Sequence, residues 1–235
     1  MIEFREATEY EKGKPILVMK DLCKTYNIGE EVLKVLRGID ISINSGDYVA
    51  IMGPSGSGKS TLLNIIGLLD APSAGEYSLF GRSVLGLKEK DRVDYHRNFI
   101  GFIFQAYHLI EEMTVYENIE TPLIYKGVKR RDRQSLVADL LDRFSIVAKK
   151  DLYPQQLSGG QQQMVGIARA IAGKPKLLLA DEPTGNLHIS QGEMIMEILR
   201  ELNNEGMTII QVTHNEKFAQ YGNLILRLED GIIRN

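Results

Sequence analysis

Gly53-Pro54-Ser55-Gly56-Ser57-Gly58-Lys59-Ser60 is the stretch on which the reading of this chain turns. Its spacing, G-x-x-x-x-G-K-[ST], is the P-loop pattern, and it sits between an apolar run at 47–52 and a segment of helical period at 59–69. That setting is the one the chemistry needs. Glycines let backbone N–H groups turn inward around phosphate oxygens, a helix beginning near Lys59 points its positive end at them, and Lys59 adds a mobile charge. Ser60 is placed to ligate Mg²⁺, with Thr61 beside it. A glycine turn that only joined a strand to a helix would have no use for Lys followed by Ser at its fixed end.

Upstream of this loop, the segments 16–19, 33–43 and 47–52 alternate or run apolar between Gly and Asn, which predicts a group of strands. Downstream, the helix at 59–69 is closed by Asp70, Pro72 and Gly75, and 76–80 returns to strand. A further short strand is predicted at 99–104. From 117 to 152 the period becomes helical, which places a helical subdomain at about 105–156. The apolar segments 176–181, 207–213 and 223–228, with a helical stretch at 191–204, follow the βαβ rhythm of a buried, largely parallel sheet, and 231–234 adds an edge strand. Residues 1–14 are mostly polar and read as a weakly ordered extension with a short strand at 2–4. The predicted fold class is α/β: a P-loop NTPase core with a mostly parallel sheet, an N-terminal antiparallel β-subdomain and an inserted α-helical subdomain.

Composition narrows the partners. Across 235 residues, 28 Lys and Arg stand against 31 Asp and Glu, a formal charge of −3, so no overall basic field invites nucleic acid and none is expected as a partner. The single cysteine, Cys23, cannot form an intrachain disulfide, and no His or Cys cluster with zinc spacing surrounds it, which fits a reducing cytoplasm. The first residues mix charges and lack the apolar centre of a signal peptide. The richest apolar stretch, 62–69, is interrupted by Asn64 and Gly67, so no membrane crossing is expected.

A second constellation lies in Lys176-Leu177-Leu178-Leu179-Ala180-Asp181-Glu182, an apolar strand that ends in two acids. In a parallel sheet this puts Asp181 at the C-terminal edge near the P-loop, within reach of Mg²⁺ through water. Glu182 then directs a second carboxylate at the space beyond the γ-phosphate, where a general base or water-orienting group is wanted.

Leu157-Ser158-Gly159-Gly160-Gln161 resembles the signature sequence of the ABC transporter ATPases. Physically, Ser158 is a good helix N-cap and the two glycines permit close backbone approach. The resemblance implies that Ser158, Gly159, Gly160 and Gln161 open a helix whose N-terminus meets the γ-phosphate of ATP held by a second copy of the chain. It also implies that Gln105 is the Q-loop glutamine touching Mg²⁺ and the attacking water, that His214 hydrogen-bonds the γ-phosphate, and that Tyr26 stacks on adenine. The order of these motifs covers about 16–228. Within the family, 68–75 and 114–119 look most like the lipoprotein-release and macrolide-exporter ATPases.

The expectations that follow are an ABC ATPase domain over 15–235 that uses ATP and Mg²⁺, a dimer enclosing two ATP molecules, and an integral-membrane permease as partner. The location expected is peripheral, on the inner face of the cell membrane. A groove beside Gln105, with Tyr107, Leu109 and Tyr116, is either the permease's socket or ordinary lobe core. Two positions depart from the family pattern: His188 stands where the D-loop usually has an aspartate, and Met164 where an arginine commonly follows the signature's glutamines, with Arg169 further along. The alternative function, a soluble ABC ATPase of DNA repair or chromosome maintenance, would have a long coiled coil between P-loop and signature, and no sustained heptads occur here. A small-molecule P-loop kinase gives no reason for the signature.

Overall fold

The computed structural model describes residues 13–29 and 31–234, so the strand expected at 2–4 lies outside the described residues. The elements in chain order are β1 (Pro15–Ile28), β2 (Glu31–Asn44), β3 (Tyr48–Met52), α1 (Lys59–Ile66), β4 (Ala74–Leu79), β5 (Arg82–Ser83), α2 (Glu89–Asn98) and β6 (Ile100–Phe104). They continue with α3 (Val115–Tyr125), α4 (Arg130–Arg143), α5 (Gly159–Ala172), β7 (Leu177–Asp181), α6 (Ile189–Asn204), β8 (Thr208–Val212), α7 (Glu216–Ala219), β9 (Leu224–Glu229) and β10 (Ile232–Arg234). Single 3₁₀ turns lie at Val147–Lys149 and Pro154–Gln156.

Two sheets result. The first is antiparallel, in the order β2-β1-β4-β5. The second runs β10-β9-β3-β8-β7-β6, with β9, β3, β8, β7 and β6 parallel and only β10 reversed. This agrees with the α/β class and the antiparallel N-terminal group expected from the sequence.

The parallel strands are short and apolar because both faces of the sheet are covered. β3 and β8 are buried at every residue. Side chains alternate across a strand, so β7 serves two cores at once: Leu177 and Leu179 face the core shared with α1 and the antiparallel sheet. Leu178 and Ala180 face the core built with α3, α4, α5 and α6. Each fully buried Leu contributes roughly 1.5–3 kcal/mol relative to exposure, so a polar substitution at Leu179 would weaken one layer and at Leu178 the other.

Strand order fixes where function can lie. β3, β8 and β7 are adjacent and parallel, so the loops that follow them open on one edge of the sheet. The loop after β3 carries the glycines, Glu182 follows β7, and His214 follows β8.

Besides the short β5 and α7, which the sequence reading does not include, three elements differ from it. β1 runs from Pro15 through Ile28 rather than 16–19, because register shifts around Leu22 and Lys24, with Asp21 at φ 46°, interrupt the alternation that marks a strand. The helix at 59–69 stops at Ile66, where Gly67 caps it and Leu68 turns left-handed at φ 58°. The helix α2, absent from the sequence reading, is polar nearly all round and buries only Tyr95, so it shows almost no apolar stripe.

Candidate functional site

The chain leaves β3 at Met52 and turns sharply. A Cβ on Gly53 would come within 2.0 Å of the Leu228 carbonyl and 2.8 Å of Ser57 Oγ, so only glycine lets the loop pass this close to β9. Gly56 and Gly58 hold φ values of 79° and 101°, the left-handed region that glycine enters at no steric cost. Gly58 is also the N-cap of α1 and leaves the helix start free of any side-chain cap. Lys59 folds back over the loop, its Nζ donating to the carbonyls of Gly53 at 2.9 Å and Pro54 at 2.8 Å.

Opposite the loop stand the acids of β7. Ser60 Oγ donates to Asp181 Oδ1 at 3.4 Å. Burial pushes the Asp181 carboxyl above its ordinary pKa and the charge of Glu182 pushes the same way, while the Ser60 hydroxyl and Lys59 oppose them. Glu182 adopts φ 47°, a strained conformation for a glutamate, and its N–H donates to Val212 O at 3.0 Å. Its Oε1 lies 2.9 Å from His214 Nδ1. Ser55, Lys59, Ser60, Thr61, Glu182 and His214 line one open cleft of about 390 Å³, with Val35 of β2 as an apolar wall that no motif marks.

The remaining sequence candidates lie around this cleft and not in it. Gln105 is clasped by Asn186: its Nε2 donates to Asn186 Oδ1 at 3.1 Å, and Asn186 Nδ2 donates to the Gln105 carbonyl at 3.0 Å. Gly185 makes room for this pair, since a Cβ there would meet Gln105 Nε2 at 2.7 Å. Tyr26 donates its hydroxyl to Asp70 Oδ2 at 2.6 Å, Thr61 is a further hydrogen-bond neighbour, and Lys24 Nζ both pairs with Asp70 Oδ1 at 2.6 Å and lies 4.6 Å from the Tyr26 ring centroid. The Asp70 contact holds the Tyr26 phenol above its usual pKa.

Ser158 caps α5 in a reciprocal box: its Oγ accepts from Gln161 N–H at 3.4 Å, and its own N–H donates to Gln161 Oε1 at 3.0 Å. Gly159 and Gly160 form the first turn, and none of Ser158 to Gln161 lines the cleft of its own chain. Tyr107, Leu109 and Tyr116 are half-buried, and Leu109 and Tyr116 pack against the second core. Met164 packs there too, while Arg169 donates to the carbonyls of His108 and Tyr107. His188 occupies the N-cap position of α6 with Nδ1 3.2 Å from Ser190 Oγ. The Asn186 clasp, the Lys24–Asp70 pair and the left-handed Glu182 carry no sequence signal, because each joins residues distant in the chain or depends on backbone angle.

A glycine loop between β3 and α1, a lysine and serine at its helical end, and two acids at the end of a neighbouring parallel strand define a P-loop nucleoside triphosphatase. Residues 36–185 match the ABC transporter family. The chain belongs to that family and is an ABC ATPase, a nucleotide-binding fold. Among its relatives are the macrolide export ATP-binding/permease proteins MacB of Chlorobium luteolum, 44% identical over 219 residues and 93% of this chain, and of Wolinella succinogenes, 45% identical over 220 residues and 94% of this chain. The chain spans about a third of their length, 33% and 34% respectively. The dimeric post-hydrolysis structure of the ATP-binding cassette MJ0796 bound to ADP and Pi superposes with a TM-score of 0.87 at 41% identity, covering 93% of this chain and 97% of that one. These likenesses do not favour the DNA-repair alternative.

Proposed function

We propose that this chain binds Mg-ATP in the cleft between the P-loop and β7, hydrolyses it, and drives an ABC transporter by closing on a second copy of itself. The observation that carries the reading is the meeting of Ser60, Asp181, Glu182 and His214 at one sheet edge, in two contacts of 3.4 and 2.9 Å. Gly53 to Gly58 present backbone N–H groups and the start of α1 to the phosphates, and Lys59 exchanges the carbonyls of its own loop for phosphate oxygens.

The residues suit magnesium. Among the described residues no group of three or more His, Cys, Asp or Glu could cage a metal ion, whereas Ser60 and Asp181 offer two hard oxygens. Mg²⁺ characteristically keeps waters and phosphate oxygens for its remaining ligands. When bound, the ion would neutralise charge on the phosphates. Glu182, held by His214, orients water toward the γ-phosphate. Gln105 senses the site after release from Asn186, Tyr26 offers its ring to the base, and His214 contacts the γ-phosphate.

Ser158, Gly159, Gly160 and Gln161 would complete the site of the other copy, because in their own chain they lie outside the cleft. The helical lobe at about 105–156 within a single domain at 15–235 would relay closure to an integral-membrane permease. No helix among the described residues is long and apolar enough to cross a membrane, so in this reading the domain works at the inner membrane face through that partner. Steady-state hydrolysis of Mg-ATP tests the core of the reading. Glu182→Gln is expected to lower kcat at least 100-fold with nucleotide affinity kept, and equal turnover in the native and variant chains would contradict it.

A further inference from the structure

Arg169 lies in the last turn of α5 and is half-buried. A guanidinium drawn out of water ordinarily finds a carboxylate, but no carboxylate among the described residues pairs with this one, and desolvation pulls its pKa down. Its fork closes instead on two consecutive carbonyls, Nη1 donating to His108 O at 2.7 Å and Nη2 to Tyr107 O at 3.0 Å. Both of those residues are left-handed, Tyr107 at φ 62° and His108 at φ 47°. Side chains other than glycine enter that region rarely, and two in succession persist only where their surroundings hold them.

The same turn touches the other end of α5. The Tyr107 hydroxyl sits where a Cβ on Gly159 would come within 2.7 Å of it. Two residues before Tyr107 is Gln105, locked to Asn186 in the loop that follows Glu182. Gly159, Arg169, the left-handed turn, Gln105 and Asn186 are thus linked in series, by contacts and by the short stretch of chain from Gln105 to His108.

We propose that Arg169 is a positioning residue for ATP hydrolysis, whose hold on the Tyr107–His108 turn makes α5 and the Gln105–Asn186 pair move as a unit. The proposal rests on the hydrolytic reading given above. Arg169 touches neither the cleft nor the P-loop, so nucleotide capture is independent of it. A lysine retains the charge but cannot fork onto both carbonyls. Glycine at position 108 takes the left-handed conformation without help.

Three chains test this: Arg169→Lys, the double variant Arg169→Lys with His108→Gly, and Glu182→Gln as reference. Each is measured for kcat on Mg-ATP and for the Kd of a fluorescent ATP analogue. Arg169→Lys is expected to lose at least tenfold in kcat with Kd within twofold of native, and the double variant to regain at least threefold of the loss. A kcat within twofold of native, a Kd weakened in proportion to kcat, or no recovery in the double variant would overturn the proposal. Should Arg169→Lys alone not fold, the double variant must fold and turn over; if it too is unfolded, Arg169 supports the fold as a whole and the proposal fails. Turnover unaffected by Glu182→Gln would instead sink the hydrolytic reading, and this inference with it.

Discussion

Asp181 carries its charge against the tendency of its surroundings. Burial and the neighbouring Glu182 both raise its pKa, and only Ser60 and Lys59 offset them. A carboxyl whose folded pKa lies above its unfolded value costs stability when ionised: the cost is full above the folded pKa and disappears as pH falls through it toward the ordinary carboxylate range. Asp181→Asn is therefore expected to raise Tm near pH 7 by roughly 2–4 °C, the size of a ~1 kcal/mol gain in a chain of this length, while abolishing Mg-dependent turnover. Thermal unfolding followed at pH 7 and again below pH 4 checks both halves, because the gain should vanish in acid; a variant less stable than native at pH 7 would refute the assignment of cause. Asp70 behaves oppositely. Burial raises it, but hydrogen bonds from Lys24, Tyr26 and the Ala71 N–H outweigh burial and leave it below its usual pKa. Its stabilising contribution is present above the ordinary carboxylate range and is lost as pH falls through the lowered value.

At the scale of elements, two helices share one device. Thr114 caps α3 and Ser158 caps α5, each in a reciprocal box with the third residue of its helix, Glu117 and Gln161. Ser→Ala or Thr→Ala at such a position costs about 1 kcal/mol. Thr114→Ala and Ser158→Ala should thus lose similar stability in urea titrations, but only Ser158→Ala should also lower ATPase activity, by tenfold or more. Equal activities would reduce Ser158 to a cap. The contrast also shows what was legible in the sequence. β3, β7 and β8 were readable because strands buried on both faces are continuous apolar runs, and the P-loop because its chemistry needs fixed residue types at fixed spacing. The polar α2 and the bulged second half of β1 were not, since neither leaves a periodic apolar signature. The clasp of Gln105 by Asn186 and the hold of Arg169 on a left-handed turn depend on tertiary approach and backbone angle, which no local pattern records.

For the whole molecule, parallel strand order does the positioning: because β3, β8 and β7 are adjacent, the P-loop, His214 and Glu182 converge without any one segment containing them. The same topology leaves the Ser158 turn off its own cleft, so a single chain offers the phosphates one wall. A second copy would supply the other, with helix N-terminal N–H groups aimed at the γ-phosphate. Hydrolysis would then break the bond between the β- and γ-phosphates, release of the phosphate would remove the charge that both walls share, and the pair would loosen. Sedimentation velocity on the Glu182→Gln chain, with and without saturating Mg-ATP, tests this enclosure most directly. The account predicts that nucleotide doubles the sedimenting mass and that Ser158→Phe prevents the doubling; a chain that binds Mg-ATP yet stays monomeric, even with its membrane partner present, would contradict it.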